Sequence, residues 1–128
     1  MISISRRGGA IAAAATAFTL LAAPAFAGFG AVAYDQSNGK YGASWNEPTQ
    51  SKAYELALKQ CGSADCRVHP VEPKGCGALA LSAKDKDGHI FWGGADRETL
   101  AKAKEDAVAH CRTHTKGTCT VRIFGCNK

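Results

Sequence analysis

The chain has 128 residues, a formal net charge of +5 and six cysteines, a length that allows one domain and leaves no room for a second core. Hydrophobic residues make up 45% and charged ones 21%, which excludes both a disordered chain and a membrane-embedded bundle. What remains is a small, globular, cysteine-rich protein.

The first 27 residues read as a secretory signal. Arg6 and Arg7 form a positive start, Gly9 to Ala23 is an uncharged run rich in Ala, Leu and Phe, and Ala25-Phe26-Ala27 is a small-x-small cleavage site. The expected mature N-terminus is Gly28. The apolar run is closed by Pro24 and falls short of the roughly 20 residues a transmembrane anchor needs. The arginine pair is a sparse match to a twin-arginine signal, so a general secretory route is expected, with no membrane span after cleavage. Beyond residue 27 the chain keeps 14 basic and 11 acidic residues. Lys84, Lys86, Arg97, Lys102 and Lys104 alternate with Asp85, Asp87, Asp96, Glu98, Glu105 and Asp106, so no basic stripe of the nucleic-acid-binding type forms.

Residues 28–128 are expected to fold as one α+β domain made of two copies of a strand-strand-helix-strand unit, about 29–76 and 77–126. Gly30-Ala31-Val32-Ala33-Tyr34 recurs as Gly77-Ala78-Leu79-Ala80-Leu81, and the same offset of 47 carries Trp45 onto Trp92. In the first copy, residues 30–35 and 40–45 flank Ser37-Asn38-Gly39, a strong hairpin signal. A helix is predicted from near Thr49, with Ala53, Leu56, Ala57, Gln60 and Cys61 on one face, and a third strand over 66–71. In the second copy, strands over 77–83 and 89–93 flank the turn Asp87-Gly88. A helix follows, with N-cap candidate Asp96 and Leu100, Ala103, Ala107 and Cys111 on its inner face. A last strand over 118–124 alternates Cys119, Val121 and Ile123 against Thr120, Arg122 and Phe124. The total is six short strands and two helices.

Cys61, Cys66, Cys76, Cys111, Cys119 and Cys126 are even in number, and an exported chain meets an oxidising compartment, so three disulfides are expected. Zinc is the rival reading, but no Cys-x2-Cys pair occurs. Cys61 and Cys111 close helices while Cys66 and Cys119 open the strands that follow, which predicts Cys61–Cys66 and Cys111–Cys119 within repeats. Cys76 and Cys126, the closing cysteines of the two units, then pair across the halves.

The residues Gly30-Ala31-Val32-Ala33-Tyr34, Tyr41-Gly42-Ala43-Ser44-Trp45, Gln60-Cys61-Gly62 with Cys66, Cys76-Gly77-Ala78-Leu79-Ala80 and Trp92-Gly93 together resemble the bacterial domain-of-unknown-function 4189 family, from about Gly28 to Cys126. The chain departs from that pattern in sparser alanines along the second helix and in the polar loop from Lys84 to Gly88. The resemblance implies an exported, disulfide-bearing small domain and carries over no catalytic residue.

No motif for a reaction is present. His110 and His114 have an i, i+4 spacing compatible with a metal, but the sequence supplies no His-Glu-x-x-His and no evident third ligand. Asp85-x-Asp87-Gly88 has the start of a calcium loop, yet His89 and Ile90 break its pattern, and a hairpin turn accounts for it. Ser44 and Ser82 sit in predicted strands where His69 or His89 would have to reach them for nucleophilic chemistry. The acids lie in turns and on exposed helix faces, not as a pair in one cleft. No catalytic residue, metal or cofactor is therefore assigned.

The aromatic residues Tyr34, Tyr41, Trp45, Tyr54, Phe91, Trp92 and Phe124 remain. Trp45 and Trp92 either fill a shared core as repeat-related equivalents or, with Tyr41, stand on an exposed sheet face as anchors for a partner. The functional expectation is a non-catalytic binding module, periplasmic or extracellular, whose partner is a protein or envelope component. The alternative is a small cell-envelope hydrolase.

Overall fold

The computed structural model describes residues 28–128; the expected signal segment and its cleavage site lie outside the described residues. The elements run β1 (Phe29–Tyr34), β2 (Tyr41–Glu47), α1 (Gln50–Cys61), β3 (Arg67–Val71), β4 (Cys76–Ser82), β5 (Trp92–Arg97), α2 (Leu100–Arg112) and β6 (Cys119–Cys126). Six strands and two helices form two like units, each a three-stranded antiparallel sheet with its own helix. The strand orders are β2-β1-β3 and β5-β4-β6, so the first strand of each unit is central.

The two helices are equivalent down to their burial. Thr49 and Thr99 are N-caps, their hydroxyls accepting from the amides of Lys52 and Lys102. Asp96, the N-cap expected for α2, instead lies in β5, and its carboxylate accepts from the amide of Glu72. Ala53, Ala57 and Cys61 are the buried stripe of α1, and Ala103, Ala107 and Cys111 that of α2, an offset of 50 throughout. Leu56 is only half-buried, and Gln60 is exposed, its Oε1 accepting from the Ala43 amide. The alanine stripes pack on Ala31 and Ala33 of β1, and on Ala78 and Ala80 of β4. Side chains this small let helix and strand backbones approach closely. At Gly42 a Cβ would overlap the Ala57 carbonyl, and at Gly93 the Ala107 carbonyl.

The opposite faces of the two sheets meet. Tyr34, Leu79, Leu81 and Ile90 form the inter-sheet core, with Trp92 and Ile123 packed against it. The layers are therefore helix, sheet, sheet, helix. At one end of the sandwich the buried side chain of Asn127 ties the units together. Its Nδ2 donates to the carbonyls of Val71 and Glu72 at 3.0 and 2.9 Å, and its Oδ1 accepts from the Asn46 amide at 2.9 Å. Nothing in the sequence pattern singles out this residue.

Register corrects two expectations. Ala33 pairs with Gly42, and Ala80 with Gly93, so the second strands are related by an offset of 51, not 47. The β4–β5 loop is longer than the Gln36–Lys40 turn, and Trp92 consequently corresponds to Tyr41, while Trp45 corresponds to Asp96. The tryptophans are not repeat equivalents. In β6, the register slips beside Leu79 and Ala80, which pair with Ile123 and Val121 and leave Arg122 as a bulge. Val121 therefore faces α2 and Ile123 the inter-sheet core, in place of the simple alternation expected.

All six cysteines are paired, as Cys61–Cys66, Cys111–Cys119 and Cys76–Cys126. The first two pin each helix end to its own strand. The third does not cross the halves: Cys76 opens β4, Cys126 ends β6, and they face each other in one sheet.

Candidate functional site

The aromatic residues expected to act together are separated. Trp45 lies at the Gly77 and Gly125 end of the second sheet, where a Cβ on Gly125 would overlap its indole. Trp92 pairs with Leu81 at the other end of β4. Tyr41, 39% exposed, sits beside the β1–β2 turn opposite Tyr34. Phe124 is 48% exposed, with the Lys104 ammonium 3.6 Å from its ring centre.

Around Trp92 the structure builds an aromatic stack from both units. Its indole lies 4.5 Å from the Tyr34 ring and 5.0 Å from the His69 ring, near parallel to each, while His110 meets it edge-on at 5.3 Å. Offset stacks and edge contacts are the arrangements that aromatic quadrupoles favour. Tyr34 and His69 stack in turn at 5.6 Å, and the Tyr34 hydroxyl is 3.4 Å from His69 Nε2. Burial lowers the His69 pKa below the ordinary histidine value, with Arg67 and His110 adding repulsion. Burial raises that of Tyr34, opposed in part by Arg67. Both groups are accordingly neutral at neutral pH.

This stack walls a cleft of about 350 Å³ between the edges of β3 and β5, lined among others by His69, Pro70, Trp92, Gly94, Asp96 and His110. A larger depression, about 790 Å³, lies beside it between residues 72–75 and the start of α2. Several of its charged groups are engaged: Arg97 and Lys102 both hold Asp106, at 2.7 and 3.3 Å, and Asp96 holds the Glu72 amide. The smaller cleft is the one that presents an aromatic face and imidazoles to a ligand.

The other sequence candidates are placed plainly. Ser44 Oγ donates to the Ala53 carbonyl, and Ser82 Oγ donates to the Ala83 carbonyl, so neither hydroxyl is directed at a histidine. Asp85, Asp87 and His89 bring ligand atoms within 4.8 Å of one another, but Asp85 Oδ1 accepts from the amides of Asp87 and His89, which makes it the organiser of the turn. His110 and His114 have ring centres 5.5 Å apart at the exposed end of α2. His69 and His110 reach the same cleft from separate units, a convergence that spacing along the chain does not reveal.

Residues 29–126 match the model of a family described as "Domain of unknown function (DUF4189)". "Protein Rv1269c" of Mycobacterium tuberculosis is 42% identical over 80 residues, covering 62% of this chain and 58% of that protein. "Uncharacterized protein Rv1813c" of the same species is 35% identical over 80 residues, covering 62% and 50%. The match thus spans 50% to 58% of these relatives. The NMR structure of Rv1813c superposes with a TM-score of 0.57 at 24% identity, covering 99% of each chain, a likeness of fold.

Proposed function

The chain belongs to the DUF4189 family, and we propose that it is an exported, non-catalytic recognition module that binds a protein or envelope component at the cleft beside Trp92. The carrying observation is that both units contribute to this cleft: β3 brings His69, and β5 and α2 bring Trp92 and His110. A half-buried indole flanked by imidazoles offers contact area and hydrogen bonding at small entropic cost. The hydroxyls of Ser44 and Ser82 are spent on backbone carbonyls and the cysteines on disulfides, which favours recognition over nucleophilic hydrolysis. Three disulfides fit an oxidising compartment, and among the described residues no helix is long and apolar enough to cross a membrane.

Export is tested by intact mass of the protein recovered outside the cytoplasm, with a start at Gly28 expected; a chain retaining residues 1–27 overturns it. Recognition is tested by following the Trp92 indole resonance while peptides and soluble peptidoglycan fragments are added. A saturable shift with the added compound recovered intact is expected. Turnover of the fragments would replace this reading with the hydrolase.

A further inference from the structure

Four strands lie at sheet edges, and three carry a device that discourages pairing with another chain. The β1–β2 register slips between Phe29 and Ala31, with Asn46 in the left-handed region at φ 56°. Strand β3 contains Pro70, which has no N–H to offer. Strand β6 is bulged at Arg122. Bulges and prolines are the usual means by which proteins blunt an edge. Strand β5 has neither: its six pairs with β4 run from Cys76–Arg97 to Leu81–Trp92 without a break, and its sequence is Trp-Gly-Gly-Ala-Asp-Arg.

The geometry points to β5 as a docking strand: an extended segment of a partner polypeptide adds to its free edge within the Trp92 cleft. This rests on the cleft being the recognition surface and names its ligand class. The ladder fixes which groups are available. The Ser82 amide donates to the Phe91 carbonyl at 2.8 Å, and in an antiparallel pair the inward-bonded residues alternate. Phe91, Gly93 and Ala95 therefore bond to β4, while Trp92, Gly94 and Asp96 point their N–H and C=O groups outward. These three outward residues all line the cleft. The Asp96 carbonyl is taken by the Arg97 guanidinium at 2.7 Å, and the Gly94 carbonyl has only a long 3.4 Å contact with His110 Nδ1, so that, among the described residues, Trp92 and Gly94 are left to bond with an incoming strand. An incoming strand bonds these groups in main-chain fashion while an alternate side chain packs on the Trp92 face, so an aromatic or β-branched residue is favoured there, and proline is disfavoured where it must donate.

The test uses phage-displayed random heptapeptides selected on the oxidised protein. Peptides so selected are expected to protect the Trp92 and Gly94 amides from hydrogen exchange. Gly94→Pro removes the outward N–H without touching the β4 ladder and is expected to lose at least about tenfold in affinity, whereas Gly94→Ala, which meets nothing closer than 3.4 Å and keeps the N–H, stays within about twofold. Should Gly94→Pro fail to fold, methylating alternate amides of a selected peptide supplies the same loss from the other side. Equal binding by the proline and alanine variants, or by methylated peptide, overturns strand addition while the cleft reading stands. Peptidoglycan fragments that shift the Trp92 indole where no heptapeptide does overturn it in favour of a glycan ligand. If neither class shifts the indole, the cleft reading fails as well.

Discussion

Trp45 of β2 lies on Gly125 of β6, so that the indole of one unit occupies the space a side chain would need in the other. This contact joins the two sheets through shape alone. Gly125→Ala is expected to destabilise by about 1–3 kcal/mol through overpacking. Trp45→Ala, at a half-buried position, is expected to cost about 2–3 kcal/mol. Because the two residues share one contact, the double variant is expected to be less destabilised than the sum of the singles. Urea unfolding of the three variants measures this, and strict additivity would show that the indole and Gly125 do not touch.

Gly42 and Gly93 provide a test of the repeat itself. Each lies under the last turn of its helix, against the carbonyls of Ala57 and Ala107 and the amides of Cys61 and Cys111. Alanine at either position must push a helix off its sheet, at a cost of about 2–3 kcal/mol, with similar values at the two sites. Thermal melts of the two variants check it. A neutral Gly93→Ala beside a disruptive Gly42→Ala would break the equivalence.

The disulfides should rank by the loops they close. On the chain-entropy model the Cys76–Cys126 bridge, with a sequence separation of 50, contributes about 4 kcal/mol, and the bridges with separations of 5 and 8 about 2 to 2.5 kcal/mol each. Paired Cys→Ala variants compared by urea unfolding give the order directly. A larger loss on removing Cys61–Cys66 than on removing Cys76–Cys126 would mean that native packing at the end of α1, and not chain entropy, decides the ranking.

Acid stability carries two signatures. The Ser37 hydroxyl donates to Asp35, as do the Ser63 hydroxyl and the Ser37 amide, and these bonds hold the Asp35 carboxyl down at about 2. A carboxyl near 4 when unfolded and about 2 when folded favours the native state above pH 4, and that contribution is lost as pH falls from about 4 to 2. Asp35→Asn should flatten the fall in stability across that window. An unchanged slope would place the acid sensitivity elsewhere.

His69 works in the same direction from a higher pH. Its folded pKa is depressed by burial beside Tyr34 and Trp92, with Arg67 and His110 repelling the charged form, so the unfolded chain takes up a proton first. Stability contributed by the neutral imidazole is complete above about pH 6.5 and declines as the solution is acidified below it. Imidazole resonances of the native protein should show His69 titrating below the ordinary histidine value. A midpoint at or above that value would contradict the stacked, half-buried environment.

Much of the architecture was legible because small-residue periodicity is local: Ala53-Ala57-Cys61 and Ala103-Ala107-Cys111 mark their helix faces without any knowledge of partners. The Cys61–Cys66 and Cys111–Cys119 pairings followed from cysteines placed at the ends of those helices and left Cys76 for Cys126, although that last bridge lies within the second sheet and does not cross the halves. The offset of the second strands was not legible, because a Trp-to-Trp match outweighed the longer loop before β5, and loop length shifts register without altering composition. Nor was the bulge at Arg122, since the alternation of β6 looks intact until β4 is laid beside it. The cleft was the least visible feature: His69 and His110 are brought together by sheet-on-sheet packing, and Asn127 bridges units whose residues lie far apart in the chain.

The bridge from Cys76 to Cys126 also fixes how the molecule responds to traction. A pull applied between Gly28 and Lys128 enters at β1 and leaves two residues beyond Cys126, so tension passes through the sulfurs from Cys126 to Cys76 and bypasses everything between them. Strands β4, β5 and β6 and helix α2 sit inside a covalent ring that bears no load, whereas β1, β2, α1 and β3 form an open thread from which only the short Cys61–Cys66 span is withheld. Under force the first unit is the extensible half and the second remains a folded knot, keeping the β5 edge on the half that holds its shape.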